Sequence, residues 1–150
     1  MVNEDSIYVE IKGNGDFILI DIIGYQYPNE ESGYDANWLN AEISFKVGGF
    51  LGKFNSYQMS SDFEIFEKEL KILYNNLNRS ANFQGVESQV TIHIEGDGQG
   101  HLIAKCWLID IPGNENELKC KINFDQTQIP KIINQLQKII DKFPTRDICA

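Results

Sequence analysis

The residues best suited to chemistry are His93 and His101, which flank the glycine-dense segment Gly96-Asp97-Gly98-Gln99-Gly100, with Glu95 and Asp97 beside them. Imidazole nitrogens and carboxylates of this kind can hold a metal ion. By parity, however, His93 falls on the polar face of its strand, and no third ligand is spaced to a metal-site pattern. Solvent-facing strand histidines are the stronger expectation. Glu95 to Gln99 matches a calcium loop only in part, because the glutamate required at position twelve is absent. The glycines do not form GxGxxG between a strand and a helix, so nucleotide binding is not supported. No GxSxG is present, and no Ser, Cys or Thr is placed beside a base. Paired carboxylates of the glycosidase type depend on spatial separation, and nothing in the order of residues points to them. No catalytic residue, metal ligand or cofactor is assigned, and binding to a partner is the expected mode of action.

Three cysteines, Cys106, Cys120 and Cys149, lack CxxC spacing and are odd in number, which argues against a disulfide scaffold or structural zinc. Cys106 and Cys120 could lie on paired strands of one hairpin as small buried hydrophobes. Cys149 is expected on a frayed tail.

A second group has the chemistry of recognition. Glu30, Glu31 and Asp35 lie close together beside Tyr25, Tyr27, Tyr34 and Trp38. Trp38 falls on the polar face of its strand. An aromatic there, next to carboxylates, offers large contact area at low entropic cost, with charge to orient a basic partner. The alternative is that both sheet faces are partly covered and Trp38 packs under a helix.

Charge supports a basic partner. The chain carries a formal net charge of −9, and residues 1–50 hold nine Asp/Glu against two Lys, a net of −7. Such a surface repels nucleic acid and anionic membrane. It suits a basic protein, or serves solubility alone.

The elements that must position these groups follow from periodicity. Ile7 to Lys12 and Phe17 to Tyr27 read as strands joined by the turn Gly13-Asn14-Gly15-Asp16. Pro28 to Asp35 is an acidic loop. In Asn37 to Val47, Asn37, Leu39, Ala41, Ile43, Phe45 and Val47 share one face, five of the six apolar. Gly48-Gly49 turns the chain into a return strand, Phe50 to Met59. Ser61 and Glu64 read as a capping box for a helix over about 62–77, with Phe63, Phe66, Leu70, Leu73 and Leu77 on its apolar stripe. Strands follow at Val86 to Glu95, His101 to Ile111 and Leu118 to Phe124. Thr127 can cap a final helix over 129–143, striped by Ile129, Ile132, Ile133, Leu136, Ile139, Ile140 and Phe143 and stopped by Pro144.

This order, ββββ-α-βββ-α, predicts an α+β fold: one twisted antiparallel sheet of about seven strands covered by two amphipathic helices. The strands-then-helix run occurring twice hints at duplication. A chain of 150 residues, 42% apolar and 23% charged, fits a single domain over 1–150. It has no apolar run long enough for a membrane helix, and its acidic, polar start is unlike a secretory signal, so a cytoplasmic location is expected.

The stretch Gly24-Tyr25-Gln26-Tyr27-Pro28, followed by Tyr34-Asp35-Ala36-Asn37-Trp38-Leu39, resembles the WapI-type immunity proteins of bacterial polymorphic toxin systems. In that family a Gly-aromatic strand end is similarly followed by an acidic loop and a D-A-N-W-L motif. The later layout is also similar, down to a terminal Phe-Pro, here Phe143-Pro144. The likeness is specific over 24–39 and covers most of the chain in order of elements; the lysine-bearing, isoleucine-rich second half departs from it. The resemblance implies a cytoplasmic protein that neutralises the toxic C-terminal domain of a large secreted surface protein, and the toxins linked with the family include nucleases. A nuclease is basic where phosphates bind, so an acidic inhibitor would mimic its substrate. The expected partner is a basic protein toxin domain, met by Glu30, Glu31, Tyr34, Asp35 and Trp38, without nucleic acid, membrane or cofactor. No individual toxin contact is carried over from the family. The alternatives are a non-catalytic small-ligand or peptide-binding module and, behind it, an enzyme; a deep apolar pocket with convergent polar groups would favour either.

Overall fold

The computed structural model describes residues 5–114 and 116–146. Alternating apolar residues form four consecutive antiparallel strands: β1 (Tyr8–Gly13), β2 (Asp16–Tyr25), β3 (Trp38–Val47) and β4 (Phe50–Met59). Asn14 and Gly15, both at positive φ, make the two-residue turn between β1 and β2. Helix α1 (Ser60–Asn75) follows. A second sheet is built by β5 (Ser80–Gln84), β6 (Val90–Gly96), β7 (His101–Ile109) and β8 (Glu117–Asp125), again antiparallel and in chain order. Helix α2 (Ile129–Lys142) closes the fold.

The α+β class and the order of elements are as the periodicity predicts, with two differences. Strand β5 adds an eighth strand, and the strands divide into two sheets of four. Strand β5 is five residues long, and only Ala81 and Phe83 face inward, between Ser, Asn and Gln. So short and polar a run reads as a loop. The open edge of β4 is met by a side chain instead of a fifth strand. Gln89, 2% exposed, donates through Nε2 to the Asn55 carbonyl (3.0 Å) and the Asp110 carbonyl (3.0 Å), and its Oε1 accepts from the Tyr57 N–H (3.3 Å). An amide that accepts and donates along an edge does locally what a neighbouring strand would do.

Each half is a four-stranded meander followed by a helix, and the helices cross over. Helix α1 packs against β5 and α2, while α2 packs against β1. Phe63 and Phe66 of α1 meet Phe83 of β5 at centroid separations of 5.1 and 5.6 Å. Ile129, Ile132, Leu136 and Ile139 bury the inner stripe of α2. Strands β1 and β8 adjoin, and Gly13 is there because a Cβ would run into the Asn123 carbonyl. The buried residues of both sheets and both helices form one core cluster. Each large apolar side chain buried in it contributes about 1.5–3 kcal/mol relative to exposure.

Both helix starts differ in detail from the sequence reading. Helix α1 begins and ends two residues earlier, and the Asp62 carboxylate accepts the Met59 N–H at 2.9 Å, so Asp62 performs the capping assigned to Ser61 and Glu64. Before α2, the Asp125 carboxylate accepts the Thr127 N–H at 2.9 Å, so Asp125 caps the short 3-10 turn over Gln126–Gln128 that leads into the helix. Residues 86–89, expected in a strand, form a turn with Ser88 at positive φ. Among the described residues, no helix is long and apolar enough to cross a membrane.

Candidate functional site: an acidic, aromatic corner of the first sheet

Between β2 and β3 the chain leaves regular structure for Gln26 to Gly33, then makes a single 3-10 turn over Tyr34–Asn37. A segment this polar needs outside support to hold one shape. It receives it from behind. Asn37, 1% exposed, accepts the Arg146 N–H at Oδ1 (2.6 Å) and donates from Nδ2 to the Arg146 carbonyl (3.2 Å). The Arg146 guanidinium donates to the Ala36 carbonyl (2.9 Å from Nε) and to the Tyr27 carbonyl (3.3 Å). It also lies over the Tyr25 ring, 3.7 Å from the centroid. The Tyr25 hydroxyl donates to the Pro144 carbonyl (3.0 Å), and its ring meets Phe143 edge-on at 5.2 Å. Gln26 N–H, finally, bonds the Trp38 carbonyl at 2.9 Å. The segment after α2 thus clasps the back of the loop.

The front faces solvent. Glu30, Glu31 and Asp35 are exposed, as are Tyr27 and Tyr34. Trp38 is half-buried at the start of β3 and meets Tyr34 edge-on, with centroids 6.0 Å apart. On the same sheet face, Trp38 pairs with Met59 and Asn40 with Tyr57, which makes Trp38 and Tyr57 diagonal neighbours within reach of aromatic side chains. A cleft of about 230 Å³ lies there, lined by Gln26, Tyr27, Trp38, Tyr57 and Glu87. The loop therefore carries Glu30, Glu31, Tyr34 and Asp35 together, with Trp38 at its exit.

Sequence reasoning missed Asn37, Arg146, Tyr57 and Glu87. Asn37 had a visible signal, since it is the one polar residue on the apolar face of its strand. Arg146 lies 109 residues away and had none. Glu87 belongs to the other half of the molecule, and only the fold brings it here.

The histidine hairpin looks different in three dimensions from a metal site. His93 pairs across strands with Lys105, and His101 with Asp125, so the two imidazoles are not cross-strand partners. His93 is half-buried and hydrogen-bonds Asn82 and Glu95. Lys105, 2.7 Å from Glu95, and His93 hold that carboxyl below its usual range. The Asp97 carboxylate accepts the Gln99 and His101 N–H groups (2.7 and 3.2 Å), which closes the turn. Among the described residues, no group of three His, Cys, Asp or Glu is arranged to hold a metal ion. The cleft beside this hairpin, about 950 Å³, is walled largely by polar side chains, including Asn14, Arg79, His93, Asp97, His101 and Asp125. Leu102, Ile103 and Phe124 add apolar surface to its lining.

Cys106 and Cys120 are direct cross-strand partners with free thiols. The Cys120 thiol and burial together push Cys106 well above the ordinary thiol range. A thiol kept protonated is a poor nucleophile. Cys149 lies outside the described residues.

The family described as "Immunity protein WapI-like family" matches this chain over residues 9–144. That span runs from within β1 to the proline after α2 and includes the acidic loop. No curated protein matches the chain.

Proposed function

The chain belongs to the WapI-like immunity protein family, and from that premise we propose that it binds and neutralises the C-terminal toxin domain of a cognate secreted surface protein. The observation that carries the reading is the acidic, aromatic corner held from behind by Asn37 and Arg146. A loop fixed in shape before contact gives up less entropy on binding than a floppy one. Its exposed carboxylates favour a basic partner surface, such as the phosphate-binding face of a nuclease. The tyrosines and Trp38 supply contact area of the kind that dominates binding energy. The net charge of −9 sets the protein against nucleic acid and anionic membrane as partners. Its action is by occlusion in the cytoplasm, without catalysis.

The test is co-expression with the toxin domain encoded beside the gene. Cells carrying both should grow, and the two proteins should co-purify as a stoichiometric complex. Growth arrest despite soluble immunity protein, with no complex recovered, would overturn the reading.

A further inference from the structure

The small cleft at the exit of the acidic loop has three aromatic walls and one carboxylate. Tyr27 and Tyr57 are exposed, Trp38 is half-buried, and Glu87 is exposed at the rim. The backbone of each aromatic wall is hydrogen-bonded to a neighbouring segment. The Tyr27 carbonyl accepts from Arg146, and its neighbour Gln26 bonds the Trp38 carbonyl. The Tyr57 N–H is bonded by Gln89. Gln89 follows Glu87 by two residues, and Ser88 between them adopts positive φ while its N–H bonds the Gly85 carbonyl at 3.1 Å. The second half of the molecule thereby delivers a carboxylate to an aromatic cleft of the first half.

Aromatic faces attract cations through the ring quadrupole, and a carboxylate beside them adds direct charge and hydrogen bonding. At about 230 Å³ the cleft suits one side chain and is too small for a drug-sized ligand. The loop next to it bears Glu30, Glu31 and Asp35, so the surrounding field also favours a positive group. A planar guanidinium can stack on a ring and still donate from its edge to Glu87, which a lysine ammonium cannot do in the same way. From this we infer that the Tyr27–Trp38–Tyr57–Glu87 cleft receives an arginine side chain of the partner. The inference rests on the proposed function for the identity of that partner, and it stands separately as a statement about the cleft.

The experiment has two arms. In the first, the isolated protein is titrated with N-acetyl-arginine amide, with the neutral isostere N-acetyl-citrulline amide as control, and the two indole N–H signals are followed by NMR. Trp38 should shift saturably with the arginine probe alone, while Trp107, on the outer face of β7, stays in place. Glu87→Gln should weaken that binding roughly tenfold, in the range of a lost charge partner at a partly desolvated site. No saturable shift, an equal response to citrulline, or an unchanged Glu87→Gln variant would overturn the inference. In the second arm, Glu87→Gln is measured against the cognate toxin domain, where faster dissociation is expected. A cleft that binds the arginine probe while the toxin complex is indifferent to Glu87 would place the fault in the assignment of partner and face, and would overturn the inference as it concerns the toxin.

Discussion

The Arg146 guanidinium lies over the ring of Tyr25, 3.7 Å from its centroid, although the two residues sit at opposite ends of the chain. That contact, with the paired bonds between Asn37 and the Arg146 backbone, joins the segment after α2 to the loop that carries the acidic corner. Arg146→Ala should lower stability by about 1–2 kcal/mol, through hydrogen bonds lost to the Ala36 and Tyr27 carbonyls. Asn37 bonds the Arg146 backbone, which Arg146→Ala keeps, so a double-mutant cycle with Asn37→Ala tests whether the two sets of bonds hold one segment; a coupling of about 0.5–3 kcal/mol is expected if they do. Chemical denaturation of the four proteins measures it. Additive losses would mean that the two residues act independently.

Gln89 ties the sheets together by two bonds to the β4 edge and one to the Asp110 carbonyl just after β7. Gln89→Ala would leave the Tyr57 N–H and two carbonyls without that partner at part-buried positions, at a cost of about 0.5–1.5 kcal/mol each. The expected total is several kcal/mol, together with faster hydrogen exchange at Asn55 and Tyr57. A loss under about 0.5 kcal/mol, typical of surface positions, would show that the edge is closed by other means.

Leu136 is fully buried in the stripe that α2 turns inward. Leu136→Ala should cost about 2–5 kcal/mol in denaturant melts, with no change in which partner is bound. A loss below 0.5 kcal/mol, roughly the effect of a surface change, would contradict the packing described for that helix.

The fold was legible wherever periodicity was strong. Leu39 to Val47 alternates cleanly and lies in β3 as read, and the stripes of both helices face the core. The two sheets were less legible, because the break between them is marked by a glutamine side chain on the edge of β4 and a short polar strand, β5. Neither leaves a pattern along the chain. The candidate site was half legible. Carboxylates and aromatics cluster in sequence between Tyr25 and Trp38, but the groups that hold and complete the corner, Arg146, Tyr57 and Glu87, arrive from elsewhere in the chain.

Asp62 provides a pH-dependent test. Burial raises its carboxyl from 3.8 to about 6, against the lowering effect of the Met59 N–H bond. Between these two values the folded state binds more protons than the unfolded state. Stability from this group is therefore greatest below about pH 4 and falls as pH rises towards 6. Asp62→Asn should remove that slope and, keeping a side-chain oxygen for the Met59 N–H, raise stability at pH 7–8. The gain should be on the order of 1 kcal/mol, discounted because the site is partly open to solvent. The difference between the two proteins' unfolding free energies across pH 4 to 8 isolates the effect, and a flat difference would contradict it.

The loop from Pro28 to Asp35 is proposed to meet the toxin, and the kinetics of charge reversal test that most directly. Glu30 and Glu31 are both exposed at the tip of the acidic segment. Exposed rim charges act mainly on encounter, and salt screens them as the Debye length falls from ~30 Å at 0.01 M to ~8 Å at 0.15 M. Association of the Glu30→Lys, Glu31→Lys double variant with the cognate toxin domain should be measured by surface-based kinetics at both salt concentrations. Association should slow well beyond any change in dissociation, with the difference from wild type shrinking as salt is added. Unchanged rates at both salt concentrations, together with full protection of cells expressing the toxin, would contradict it and remove this loop from the interface.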